Sequence, residues 1–165
     1  MISDPWITLW SDECLTPDGI VVAPYYVLDP ADWISVLAMT ADGDAIVVDE
    51  YRHGAGIIAL GTIGGAVEPG EEPVDAAARE LLEETGCRAD EIVDLGATWA
   101  NFGNHTNRVH HFLARGCREV AAQALDETES IAVHRLPLGS LGGRLEQSFH
   151  QLTWYKAVAW LASQS

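Results

Sequence analysis

Three glutamates and an arginine crowd one short stretch, Arg79-Glu80-Leu81-Leu82-Glu83-Glu84, and a glycine-rich stretch, Gly64-Gly65-Ala66-Val67-Glu68-Pro69-Gly70-Glu71, precedes it. On a helix, at about 100° per residue, Glu80 and Glu84 share a face, Glu83 lies beside them and Arg79 stands one turn before Glu83. Carboxylates so placed repel one another by roughly a few tenths of a kcal/mol per pair. Near a helix C-terminus they also oppose the macrodipole. A divalent cation removes both costs, and oxygen ligands of this kind suit Mg²⁺ or Mn²⁺, which keep several waters and bridge to phosphate oxygens. Taken alone, an E-x-x-E-E run is more often a solvated face. The glycines change that reading. Gly64 and Gly65 allow the backbone to come close to a ligand, and Pro69-Gly70 makes a turn before the helix. A loop followed by a helix whose carboxylates face it is a cradle for metal and diphosphate.

The elements that must position these groups are legible in outline. Pro73 to Thr85 reads as a helix, with Pro73 in the first turn, Gly86 at the C-terminal cap, and Val74, Ala78, Leu81 and Thr85 as its core face. Trp6 to Trp10, Tyr25 to Leu28, Trp33 to Thr40, Ala45 to Tyr51, Ile92 to Trp99, Arg108 to Ala114 and Ile131 to Leu136 read as strands, and Ile57 to Leu60 is a short apolar run. Pro17-Asp18-Gly19 and Asp42-Gly43-Asp44 are turns. Leu152 to Ala162 reads as a closing helix with Leu152, Tyr155, Ala159 and Ala162 at helical spacing. Strands around one central helix, with another at the end, give an α+β fold in which a mixed sheet lies between helices.

Composition narrows the function classes. The chain has 165 residues, 48% of them hydrophobic and 21% charged, enough for one packed domain. Its formal net charge is −16, and Lys156 is the lone lysine. Such a surface repels nucleic-acid backbones and anionic membranes, while small phosphorylated substrates remain accessible through a cation. Cys14, Cys87 and Cys117 are odd in number and far apart, which disfavours a disulfide framework or a zinc site. No basic leader and no long apolar run occurs, so the expected location is the cytoplasm.

The spacing Gly65, five residues, Glu71, seven residues, Arg79-Glu80-Leu81-x-Glu83-Glu84-x-Gly86 resembles the Nudix hydrolase box, with Cys87 standing where an aliphatic residue is the rule. The resemblance implies an α/β/α sandwich, hydrolysis of a nucleoside diphosphate linked to another moiety, and two or three Mg²⁺ or Mn²⁺ ions. It implies that Glu80, Glu83, Glu84 and the carbonyl of Gly64 hold the metal. Arg79 would orient Glu83, and Glu71 with it. More weakly, Glu50-Tyr51-Arg52 and Leu125-Asp126-Glu127-Thr128-Glu129-Ser130-Ile131 are similar to ADP-ribose pyrophosphatases and nucleotide-sugar hydrolases. On that likeness Glu129 is a further metal ligand, Glu127 the general base, and Arg52 a phosphate holder. Phe102 and Trp33 become substrate contacts, with Trp99 another aromatic that could stack on a base, and Glu50 is a substrate contact through a ribose hydroxyl, with metal binding or plain solvent exposure as its alternatives. ADP-ribose would give AMP and ribose 5-phosphate. His110 and His111 are adjacent on a strand and so point to opposite faces, and neither they nor His105 shows ligand spacing. The chain departs from the subgroup at Gly61 and Ile63, where a glutamate and a proline are the pattern, and at Glu50, where glutamine is.

The same resemblance divides the chain into residues 1–30, an N-terminal strand region that would pair two copies into a homodimer, and residues 31–165, the hydrolase domain. Other substrates (NADH, a GDP-sugar, a dinucleoside polyphosphate) and a non-catalytic nucleotide-sugar sensor are the competing readings. The complete set of box carboxylates argues against the sensor, because a binder has no need of a base.

Overall fold

A computed structural model describes residues 1–4 and 7–164, so the expectation for Trp6 lies outside the described residues. A small antiparallel sheet comes first: β1 (Ile2–Ser3), β2 (Thr8–Leu15) and β3 (Val21–Asp29), in that order across the sheet. The remaining strands are β4 (Trp33–Thr40), β5 (Asp44–Arg52), β6 (Ile57–Gly61), β7 (Ile63–Ala66), β8 (Cys87–Arg88), β9 (Glu91–Trp99), β10 (Arg108–Glu119) and β11 (Ile131–Pro137). They form one mixed sheet in which β4 and β10 run parallel and the other pairings are antiparallel.

Two features of this sheet matter for the site. First, it forks. β4 and β5 pair only at Ala38–Ile46 and Met39–Ala45. Beyond that seam β4 takes β7 as its neighbour, and β5 takes β6. Secondly, alternation along each strand sends residues to two separate cores. Ile34, Val36, Ala38, Ile46, Ile63, Phe112 and Ala114 pack with Ala76, Ala77 and Leu81 of α1 (Pro73–Thr85). Leu37, Ala45, Val47 and Leu113 pack with Leu141, Leu145 and Ala157, the last from α2 (Ser148–Ser163). The sheet therefore lies between two helices, as the resemblance implied.

Helix α1 begins and ends where its sequence signals place it. Pro73 occupies the first turn, and Gly86 closes the helix with φ 68°, its N–H bonding to the Leu82 carbonyl. A Cβ at Gly86 would strike the Ala121 carbonyl as well, so glycine is required twice over. The inward face carries Leu81 and Thr85 as expected but differs in its other members. Val74 and Ala78 are exposed, and the buried residues are Ala76, Ala77, Leu81, Glu84 and Thr85. The helix is rotated so that a glutamate faces the sheet, an arrangement that a polar-outward reading cannot find.

A similar correction applies to α2. Leu152, Tyr155, Ala159 and Ala162 face outward, Tyr155 with 58% of its surface exposed. The inward side carries His150, Thr153 and Ala157. The helix is apolar on most sides, so spacing alone does not choose a face. Hydrogen bonds do. Ser35 Oγ lies 2.6 Å from Thr153 Oγ1 and 2.8 Å from Thr62 Oγ1, Thr62 lies 2.6 Å from His150 Nδ1, and His111 bridges Thr153 at 2.7 Å and Thr98 at 2.8 Å. The Thr153 hydroxyl donates to the Phe149 carbonyl at 2.8 Å. The other protons then fall into one order. Ser35 donates to Thr153, Thr62 to Ser35, His150 Nδ1 to Thr62, His111 Nδ1 to Thr153, and Thr98 to His111 Nε2. Every hydroxyl proton has a place, which is what makes a buried polar network tolerable. Burial holds both imidazoles neutral, lowering His111 to about 4 and His150 to about 3, with Lys156 and Arg52 respectively adding charge repulsion. Gly61 also finds its explanation here, because a Cβ at that position would lie 2.9 Å from His150 Nε2. Ile63, the other departure, is fully buried in the α1-side core.

Candidate active site

On the α1 side, the β4–β7 arm of the fork carries Gly64 and Gly65, and the β5–β6 arm carries Glu50 and Arg52. Helix α1 lies across the same face and contributes Arg79, Glu80, Glu83 and Glu84. The Glu80 carboxylate lies directly over Gly65, where any Cβ would collide with it. Glycine at 65 is thus a steric requirement of the glutamate fifteen residues later.

Arg79 is the hub. Its Nε and Nη2 bind the two oxygens of Glu71 at 2.9 and 3.0 Å. Nη1 donates to Glu80 at 2.7 Å and Glu83 at 3.0 Å, and Nη2 also reaches the Ala66 carbonyl at 3.0 Å. The guanidinium is held charged, first by Glu71 and then by Glu80 and Glu83. Glu71 in turn is pulled below the usual carboxylate range by Arg79, which outweighs its desolvation. A fork-shaped cation with five donors can hold three carboxylates and a carbonyl at once, and an ammonium cannot.

Glu84 is the most unusual group. Only 4% of it is exposed, and Oε2 is buried with no hydrogen-bond partner. Burial, followed by the charges of Glu80, Glu50 and Glu129, pushes its carboxyl up to about 9, against a hydrogen bond from the Gly64 backbone. Glu80 and Glu50 are raised too, in each case chiefly by desolvation. Glu129 acts on all three, so four acids from α1, β5 and the loop before β11 share one field. The register Ile131↔Glu50 explains how the loop gets there. Its approach is also fixed by main chain. Val120 and Ala121 donate to the Gly86 carbonyl, Ala124 donates to Glu83 O at 2.9 Å, and Gln123 Nε2 reaches Glu84 O at 2.6 Å and Ile131 O at 3.3 Å.

The sequence-predicted residues divide accordingly. Arg79, Glu80, Glu83, Glu84, Glu129, Glu50 and the Gly64 backbone come together. Glu127 is exposed on the Asp126–Glu129 turn and makes no hydrogen bond or ion pair among the described residues. Phe102 is 87% exposed on a turn next to β3, where Leu28 bonds to Asn104 and Thr106 and the Tyr25 hydroxyl donates to Gly103. Trp33 shares the sheet face of Ser35, away from Glu80, and its buried indole N–H has no partner. Trp99 is exposed, with Arg108 5.8 Å above its ring. His110 and His111 point to opposite faces as expected, His110 pairing with Asp32 at 2.9 Å.

Two features escaped the sequence. One is the burial of Glu84, which no polarity pattern signals. The other is the ion pair of Arg52 with Glu50 at 2.8 Å, for which the glutamate at 50 was the available clue.

Among the described residues no three His, Cys, Asp or Glu side chains stand close enough to hold a metal ion in this arrangement, and Arg79 pairs with Glu80 and Glu83. The donor set nonetheless fits a hard divalent cation. It is all oxygen, it is electrostatically under-compensated, and it contains a buried carboxylate oxygen with nothing bound to it.

A model of the NUDIX domain matches residues 31–158. The chain belongs to the Nudix family. It is 32% identical to an ADP-ribose pyrophosphatase of Bacillus subtilis over 133 residues, covering 80% of this chain and 71% of that one. Over the same shares it is 28% identical to a methanol dehydrogenase activator of Bacillus methanolicus. A crystal structure of an ADP compounds hydrolase superposes with a TM-score of 0.85 at 22% identity, covering 100% of this chain and 91% of that chain, a likeness of fold. The protein is therefore a Nudix pyrophosphohydrolase resembling ADP-ribose pyrophosphatases, and no helix among the described residues is long and apolar enough to cross a membrane.

Proposed function

We propose that this Nudix protein hydrolyses the pyrophosphate bond of ADP-ribose or a nucleotide sugar, with Mg²⁺ or Mn²⁺, in the cytoplasm. The observation that carries the reading is Glu84: a buried carboxylate oxygen without a partner, among three other acids and beside the Gly64-Gly65 strand. Glu80, Glu83, Glu84, Glu129 and the Gly64 carbonyl would hold two or three ions. Such ions polarise phosphoryl oxygens and lower the pKa of bound water.

The chain's own groups supply the rest. Arg79 keeps the acids of α1 in register through its bonds to Glu71 and Ala66. Arg52 binds a phosphoryl oxygen, and Phe102, exposed on its turn, contacts the nucleoside or sugar. A water attacks one phosphorus in line, and the bridging oxygen leaves with the electron pair. Glu127 takes the proton, since it has no partner to give up, whereas Glu83 must first leave Arg79. Residues 1–30 form the homodimer contact, supported by the exposed Val21, Val22 and Tyr26 of the small sheet.

The test is a substrate panel with Mg²⁺ and with chelator, read by separating the products. ADP-ribose is expected to yield AMP and ribose 5-phosphate in the metal arm alone. NADH, a GDP-sugar and a dinucleoside polyphosphate form the comparison set. Glu83→Gln and Glu84→Gln should each lower turnover by orders of magnitude in a folded protein. Wild-type turnover in both, or no metal-dependent cleavage of any diphosphate, refutes the reading.

A further inference from the structure

Arg52 does not face the site as a free cation. Its Nη1 donates to Glu50 Oε1 at 3.0 Å, and Nη2 lies 2.8 Å from Oε2, so two parallel contacts join the fork to the carboxylate. The side chains leave the same face of β5 two residues apart, and they are only 31% and 22% exposed. Paired in this way they present no net charge to an incoming anion.

Glu50 also has a second set of neighbours. Its carboxyl feels the charge of Glu129, and Glu84 feels the charge of Glu50. Glu50 therefore stands between one cation of the chain and the acidic group. Within that group Glu84 Oε2 is buried and unpartnered, an independent sign that the group awaits a ligand.

We propose that Glu50 is a latch with two alternative partners. In the ion-free protein it holds Arg52. When a divalent cation enters the acidic group, Glu50 turns to it and releases the guanidinium fork for the diphosphate. The inference rests on the reading of this site as one for cation and diphosphate, and it adds an order of events: the cation binds first, and each ligand raises the affinity of the other. It also gives a function to the glutamate at position 50, because a glutamine there could offer Arg52 one neutral acceptor and no charge.

The test uses calorimetric titration with α,β-methylene-ADP, a diphosphate that cannot be cleaved at the bridging position, in chelator and in Mg²⁺. Wild type should bind weakly in chelator and much more tightly in Mg²⁺. Glu50→Gln should bind about tenfold tighter than wild type in chelator, through loss of the competing charge, and should gain less from Mg²⁺. Adding Arg52→Gln to Glu50→Gln should abolish the gain. Glu50→Ala supplies the same comparison if the glutamine variant is not folded by circular dichroism. Unchanged or weaker binding in chelator overturns the latch. So does a gain that survives Arg52→Gln, which would be general charge relief. If wild type fails to bind even with Mg²⁺, the site reading itself falls and the latch falls with it.

Discussion

Replacing Glu84 with glutamine should stabilise the metal-free protein, and the size of the effect should depend on pH. In the fold the carboxyl titrates at about 9, against an ordinary value of 4.5. Between these two values the folded state holds a proton that the unfolded chain has released, so stability falls as pH rises. The contribution to stability is complete only below the unfolded value and is lost progressively as pH rises toward the folded one. At pH 7 the interval already crossed is 2.5 units, which corresponds to about 3 kcal/mol of lost stability. A glutamine has the shape of the protonated acid and does not titrate, so it avoids that loss. Urea denaturation in chelator should find Glu84→Gln more stable than wild type by about 3 kcal/mol at pH 7, or roughly 6–12 °C in Tm for a domain of this size. At pH 5 the advantage should shrink below about 1 kcal/mol. An advantage independent of pH, or a variant weaker than wild type at pH 7, would refute the argument that burial keeps this acid protonated.

Three further outcomes follow from the geometry. Gly65→Ala should displace the Glu80 carboxylate, raising the Mg²⁺ concentration needed for half-maximal turnover while a denaturation curve shows at most about 1–3 kcal/mol of cost. Thr153→Val keeps the volume but leaves Ser35 and His111 without their shared partner. It should cost about 1–3 kcal/mol in urea unfolding, although it lies on the opposite face of the sheet from the acids. His111 and His150 are held neutral with lowered pKa values, so the unfolded chain binds protons first as pH falls. Stability should therefore decline from about 6.5 toward 4, and replacing either with asparagine should flatten that decline in a pH series of melting curves.

Local signals in this chain were strong where backbone chemistry is decisive. Pro73 and Gly86 bound α1 correctly, and β4 spans the predicted Trp33–Thr40, because caps and strand periodicity act over a few residues. The box spacing likewise located Arg79, Glu80, Glu83 and Glu84 on one helix. Orientation was harder to read. Both helices bury polar groups that a hydrophobicity count assigns to solvent, α1 Glu84 beside its apolar Ala76, Ala77 and Leu81, α2 Thr153 and His150, which bond to Ser35 and Thr62. These partners are distant in sequence, and no local pattern encodes a hydroxyl waiting on another strand. Short strands set by tertiary pairing, Ile63–Ala66 and Cys87–Arg88, were also missed. Glu129 could be placed by resemblance, but its arrival beside Glu50 depends on the register of β11.

The loop that delivers Glu129 is anchored to α1 largely through carbonyl groups, those of Glu83 and Gly86 receiving backbone amides and that of Glu84 receiving the Gln123 side chain. Peptide groups are common to nearly all amino acids, so most substitutions between Val120 and Thr128 leave those attachments in place. Outside Gln123 and Glu127 that segment is consequently free to vary in sequence while Glu129 stays put, whereas changing its length would shift the attachment and the acid together. Divergence here should accumulate as replacements and seldom as insertions.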